Sequence, residues 1–378
     1  MEQRLFDDFK KPEPKAWQNQ IIKELKGKSI EELNWKIAGV EGKPFYTEED
    51  LPDSLPQLQN PNQQAEALGI RNWVNYQVIK VDSEKEANEK ALLALNNGAT
   101  GILFQLKVVP SFDMLLKDVL LNYCQIGFEI ENGANSLMNA FEAYVKANSI
   151  DKNEVRGFIR SNESPFLSKL PNFRFFISDE KNENASLGLA LLLAKTIDVI
   201  DTNTTTIEEV QAWFKQLQFN LNVGESYFLE IARHRALRIL VAQLTNSYGF
   251  ELALNVIQIS SSSGQWNEPT KDEYNYLLRA TTEAMTAIIG GTDAVIIQPF
   301  HQLFPKNTAQ GERIARNIST ILKDESYLDK TLDPSAGSYY IESLTAQLVE
   351  KSWAILQQIE EKGGLKNLSE NDINALAL

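Results

Sequence analysis

The chain has 378 residues, 43% of them hydrophobic and 23% charged, with a formal net charge of −14 at pH 7. That length buries one large core or two ordinary ones. The acidity excludes a nucleic-acid binder, which needs clustered lysine and arginine against phosphate. No apolar run reaches the roughly 20 residues of a membrane span, and the longest, 187–200, is interrupted by Lys195 and Asp198. Met1-Glu2-Gln3-Arg4 opens without an apolar leader. Cys124 is the single cysteine, so neither a disulfide nor a cysteine-held metal is expected. A cytoplasmic location is the expectation.

Residues 1–70 read as an N-terminal arm and linker. Phe6, Phe9, Trp17, Ile21 and Leu25 have helical spacing over Glu2–Leu25. Lys26-Gly27 stops that helix, and Ser29-Ile30-Glu31-Glu32 has capping-box spacing. Residues 39–64, rich in Pro, Gly, Asn and acids, are expected to be extended arm rather than core. Arm aromatics of this kind pack on the chain's own barrel or on a partner.

From Asn72 onward, short β-rich runs alternate with helical ones. Strands are expected at 73–81, 101–106, 126–130, 155–159, 173–177, 218–221, 253–260 and 294–298. Helices are expected at 84–96, 112–122, 135–147, 185–197, 206–217, 227–246, 273–289 and 310–323. Pro165 and Pro171 leave the fourth strand without one. Such a repeat favours an α/β fold, a (β/α)8 barrel over residues 71–342, rather than an open doubly wound sheet. Residues 343–378 form a C-terminal helix, ended by Gly363-Gly364, and a tail.

Barrels handle ligands where strands end, which singles out the turn Ser260–Trp266. Ser262, Ser263 and Gly264 could offer hydroxyls and backbone N–H groups to a phosphate or an acyl group, or simply form a polar turn. His234 lies between Arg233 and Arg235, whose charges disfavour a metal, and His301 follows the last strand without a companion histidine. Both read as structural or exposed residues, so no metal site is expected. There is no Gly-x-Ser-x-Gly elbow, and 39–44 echoes a phosphate-binding loop with Pro44 where the hydroxyl should stand.

Four collinear segments carry a resemblance. They are Trp17–Lys28 with Pro44–Leu51, Phe228–Arg238, Tyr274–Met285, and Arg313–Asn317 continued through Leu332-Asp333-Pro334-Ser335-Ala336-Gly337-Ser338-Tyr339-Tyr340-Ile341-Glu342. Together they resemble the methylmalonyl-CoA mutase family, whose members rearrange acyl-CoA skeletons with radicals from adenosylcobalamin. Catalytic members carry Gly-Tyr-His-Ile at the end of the fifth strand, and the corresponding run here is Arg174-Phe175-Phe176-Ile177. A phenyl ring at Phe176 cannot donate the hydrogen bond expected of that histidine. Ile257 aligns with the arginine that catalytic members set against CoA phosphates after the seventh strand. Gln298, in the run 297–300, replaces a histidine-containing strand end, and the tyrosine- and arginine-rich loop before the first strand shrinks to 68–73. No Asp-x-His-x-x-Gly cobalamin motif is present.

The resemblance therefore implies the small, non-catalytic subunit of a heterodimeric mutase, with no catalytic or cofactor-binding residues of its own. Adenosylcobalamin and methylmalonyl- or succinyl-CoA would be bound by a large catalytic partner chain, and the small chain expressed alone could homodimerise. The alternatives are a mutase subunit that still binds a CoA ester with altered specificity, and a stand-alone barrel hydrolase or lyase using the 261–264 loop.

Overall fold

The computed structural model describes residues 13–55, 71–179, 183–263, 274–300 and 308–376. The arm begins with α1 (Pro14–Glu24), which enters on a proline whose fixed φ suits the first turn. It stops where Lys26 and Gly27 turn to positive φ. Ser29 and Glu32 close a capping box over a single turn, Ile30–Leu33. A tight hairpin follows, β1 (Trp35–Ile37) antiparallel to β2 (Val40–Gly42). Val40 is fully buried, so residues 39–42 contribute to the core, against the expectation of an extended arm. Gly42 has to be glycine, because a Cβ there would lie 2.0 Å from the Trp35 ring.

Eight parallel strands close a barrel: β3 (Val74–Lys80), β4 (Gly101–Leu106), β5 (Gln125–Ile130), β6 (Arg156–Arg160), β7 (Asn172–Ser178), β8 (Leu217–Asn222), β9 (Gln258–Ser262) and β10 (Ala294–Ile296). The described outer helices are α2 (Glu84–Leu95), the single turn α3 (Phe112–Leu115), α4 (Ala134–Ala147), α5 (Ala185–Asn203), α6 (Ile207–Lys215), α7 (Tyr227–Ser247), α8 (Asn275–Gly290) and α9 (Thr308–Asp324). Beyond the barrel, α10 (Tyr339–Glu361) lies against α5 and α7, and α11 (Glu370–Ala375) follows. Residues 161–171 join β6 to β7 without a helix.

Two elements are shorter than their patterns suggest. After Leu115, Asp118 adopts a φ of 61° and the Asn88 amide donates to the carbonyls of Leu115 (3.0 Å) and Lys117 (2.8 Å), so the helix expected over 112–122 ends after one turn. Arg238 Nη1 donates to the carbonyls of Leu254 (2.8 Å) and Ile257 (2.5 Å), which keeps 254–257 out of the ladder. The seventh barrel strand thus begins only at Gln258.

The arm hairpin packs on its own barrel. Gln347 of α10 exchanges two hydrogen bonds with the Glu41 backbone (3.2 and 3.0 Å), and Lys351 Nζ donates to Gly39 O at 2.7 Å. Ala185 N, at the start of α5, donates to Ala38 O. Tyr340 is ringed by Trp35, Tyr46 and Phe228 at centroid distances of 6.1, 5.0 and 5.5 Å.

Strand register sorts the inward side chains into layers, each drawn from alternate strands. At mid-height stand Tyr76, Gly127, Phe176 and Ser260. Above them come Leu103, Arg160, Asn220 and Ile296, then Val78, Glu129, Ser178 and Ser262 near the C-terminal mouth. Below lie Gly101, Phe158, Gln218 and Ala294, and at the N-terminal mouth Val74, Gln125, Arg174 and Gln258. One wall of the lumen is therefore aromatic and aliphatic, and the β8–β9 wall is amide and hydroxyl.

Candidate functional site at the C-terminal mouth of the barrel

Alternation along β7 sends Phe176 into the lumen and Phe175 out. Phe176 stacks on Phe158 at 4.7 Å, Phe158 meets Tyr76 edge-on at 5.1 Å, and Leu103 and Ile296 complete one buried apolar cluster. Phe175 packs outward against Phe166 at 6.0 Å, so the two neighbouring phenyl rings do not share a site. At the rim the Arg160 guanidinium sits 5.5 Å from the Phe176 ring centroid and 3.8 Å from Glu129, which also accepts from Gln105 at 3.3 Å.

The facing wall is a hydrogen-bonded net. Asn220 Oδ1 accepts from Ser262 Oγ (3.0 Å) and Ser260 Oγ (3.2 Å), while its amide donates to Ser178 Oγ (3.1 Å). Ser263 Oγ accepts from Gln298 N at 3.2 Å, and Ser263 N donates to Ile296 O. Ser262 and Ser263 are buried and already bonded, so they serve as joints between strands. Gly264 and His301 lie outside the described residues. Ile257 immediately precedes β9, with its side chain in the outer core. It therefore stands at the N-terminal end of its strand, not after that strand as expected. The inward Asn220 and Asn222 were missed, although Phe219-Asn220-Leu221-Asn222 shows the alternation that would have marked them.

Outside the rim, a groove of about 610 Å3 runs from Arg160, Ser178 and Asn222 past Asp179 to Lys195 and Asp198 of α5. Asp179 is not free to act there. It is bonded to Arg233 of α7 and accepts from Asn222 N (2.8 Å) and Nδ2 (2.9 Å), and burial pushes its carboxyl up to about 6 against the pull of Arg233. Arg233 also holds Glu230 through Nη1 at 2.9 and 3.0 Å.

Two further arginines of α7 complete an ion-pair frame. Arg235 bridges Asp333 and Glu342, the latter at 2.6 Å, and Glu342 also accepts from Gly337 N at 3.0 Å. Arg238 pairs with Asp293 at 2.9 Å, and Asp293 accepts from Ile259 N at 2.8 Å. The segments 228–238 and 332–342 thus meet each other and tie the C-terminal turn to the barrel.

Between these arginines, His234 is fully buried. Its Nδ1 lies 2.7 Å from Glu230 O and its Nε2 2.7 Å from Ser261 Oγ. A carbonyl can only accept, so Nδ1 carries the proton and Nε2 accepts from the serine. Burial, reinforced by Arg233, Arg238 and Arg71, pushes the imidazole down to about 3. Although paired with a serine, this histidine has no route to substrate. Folding favours its neutral form, so protons bind the unfolded chain more tightly below about pH 6.5 and stability falls as pH falls. Between about pH 6 and pH 4, wild type should lose about 1.4 kcal/mol per pH unit more than His234→Asn. Urea unfolding across that range checks the difference.

Among the described residues, no group of three or more His, Cys, Asp or Glu could hold a metal ion, and no helix is long and apolar enough to cross a membrane.

The family model described as methylmalonyl-CoA mutase matches residues 179–375. A methylmalonyl-CoA mutase small subunit from Porphyromonas gingivalis is 32% identical, covering 97% of this chain and 66% of its own length. A methylmalonyl-CoA mutase from Cereibacter sphaeroides is 27% identical over 93% of this chain and 58% of its own. The methylmalonyl-CoA mutase large subunit of Porphyromonas gingivalis is 30% identical over 53% of this chain and 28% of its own. The chain spans less than two thirds of the length of each of these relatives. All members of the ion-pair frame, from Asp179 to Glu342, fall within the matched residues. As that match covers more than half of the sequence, the chain belongs to the methylmalonyl-CoA mutase family.

Proposed function

We propose that this chain is the small, non-catalytic subunit of a heterodimeric, adenosylcobalamin-dependent methylmalonyl-CoA mutase, working in the cytoplasm beside a large catalytic chain. The large chain would interconvert methylmalonyl-CoA and succinyl-CoA and hold both cofactor and substrate. The observation that supports this best is the filled lumen, where Phe176 lies face to face with Phe158 at 4.7 Å and neither ring can polarise a thioester carbonyl. The opposite wall offers no free group at mid-height, because Asn220, Ser260 and Ser262 satisfy one another.

A cobalamin held through a protein histidine would require an accessible imidazole. His234 is fully buried with both ring nitrogens bonded, so it does not fit that role. That misfit among the described residues supports a reading in which the partner carries the cobalamin chemistry.

Purified alone and supplied with adenosylcobalamin and methylmalonyl-CoA, the chain should show no succinyl-CoA formation above background. Addition of a large chain carrying Gly-Tyr-His-Ile and Asp-x-His-x-x-Gly should restore turnover. Sustained turnover by the isolated chain would overturn the reading.

A further inference from the structure

We propose that the N-terminal mouth of the barrel is a binding site for a small oxyanion, centred on Arg174. Register puts Gln125 of β5, Arg174 of β7 and Gln258 of β9 in the lowest inward layer, with Gln218 of β8 one layer above. All four are donors, and no carboxylate lies among them.

Arg174 stands out among the described arginines of the barrel lumen. Its Nε is buried and donates to nothing, and no carboxylate forms an ion pair with it among the described residues. The carboxylate that acts on it electrostatically, Asp293, is engaged by Arg238 and by Ile259 N. Tyr76 cannot serve as a counter-ion either. Its hydroxyl donates to Gln125 Oε1 at 3.0 Å, and burial raises its pKa well above the ordinary phenol value. With its carbonyl occupied by Tyr76, Gln125 has its amide N–H groups left to offer. The side-chain amides of Gln218 and Gln258 have no hydrogen bond to any described group.

A buried guanidinium without a partner is costly, and an oxyanion with two or three oxygens satisfies it through parallel charge-assisted bonds. The three glutamine amides then supply the remaining donors, as in other oxyanion sites built from fixed N–H groups. Arg174, Gln125 and Gln258 each keep an accessible edge, so a ligand can reach them from the open end of the barrel. The buried apolar layer of Phe158 and Phe176 lies above these groups and would keep a ligand at this mouth. The chemistry suits inorganic phosphate or a small carboxylate, and it is independent of the subunit's proposed role.

The test is calorimetric titration of the purified chain at constant ionic strength, with inorganic phosphate in one arm and acetate in the other. Saturable one-site binding in at least one arm is expected, weakened at least about tenfold in Arg174→Met and more modestly in Gln258→Leu. Methionine keeps the apolar stem without the charge, so Arg174→Met should fold and unfold in urea at least as stably as wild type without anion. Saturable phosphate binding that exceeds acetate would assign a phosphate, and the reverse a carboxylate. Equal affinities in wild type and Arg174→Met, or no saturable binding in either arm, would overturn the proposal.

Discussion

Replacing Arg235 with alanine is expected to destabilise the chain by about 3–5 kcal/mol, the range for removing one partner of a buried ion pair. The side chains involved are nearly inaccessible: Arg235 is 4% exposed and Glu342 0%. Arg235 bridges the helix segment 228–238 to the turn 332–342, so its loss removes the guanidinium that the two carboxylates share. Glu342 still accepts from Gly337 N, and the Asp333 carboxylate, 24% exposed, still accepts from Ser335 N at 3.1 Å, but a backbone N–H does not replace a guanidinium. Urea unfolding of wild type and Arg235→Ala, read as a shift in midpoint at unchanged slope, measures the effect. Arg235→Ala combined with Glu342→Gln and Asp333→Asn should lose less than Arg235→Ala alone, because the orphaned charges go with the arginine. A loss below about 1 kcal/mol would show that the frame is solvated in solution.

That frame also explains what the family segments do. The run 332–342 resembles a segment of radical mutases, yet its carboxylates Asp333 and Glu342 both bind Arg235 of α7 outside the lumen. A sequence feature shared with catalytic proteins can therefore have a packing role. The matched residues begin at Asp179, just after β7, so the rings that fill the lumen, Phe158 and Phe176, precede the match.

The barrel was legible because its signals are local. Alternation within each strand, the helical runs between them and the two prolines that delete the fourth helix lie within a few residues of one another. The failures were long-range. Nothing near Leu254 announces that Arg238 will take its carbonyl and delay β9 to Gln258, and that delay is what moved Ile257 to the opposite end of its strand. His234 was read as structural or exposed and is fully buried, but its contact with Ser261, on the far side of a loop and a turn, was not visible in the sequence. Arg235 and Asp333 are 98 residues apart, a pairing that a single sequence cannot specify. The polar wall lay between these cases: the alternation of 219–222 was visible, but the joining of Asn220 to Ser178, Ser260 and Ser262 required the closed barrel.

The second large effect falls on the lumen. Phe158→Ala should cost about 3–5 kcal/mol, because Phe158 is completely buried and touches both Tyr76 and Phe176, leaving a cavity that the rigid strands cannot close. Phe176→Ala should cost less, since its outer face meets the Arg160 guanidinium at the rim and that side chain can move in to cover the gap. The order of the two losses separates a filled lumen from an open one: in a channel kept clear for ligand, the two substitutions would cost about the same small amount. Phe176→His carries the argument to function. It restores an imidazole at the strand end, but the ring would still lie against Phe158, with no substrate-sized space between them and with the facing serines committed to Asn220. The variant should be less stable than wild type and still fail to form succinyl-CoA when purified alone with adenosylcobalamin and methylmalonyl-CoA. Turnover regained by that one substitution would mean that the rest of the lumen is competent, and that Phe176 alone keeps the chain from catalysis.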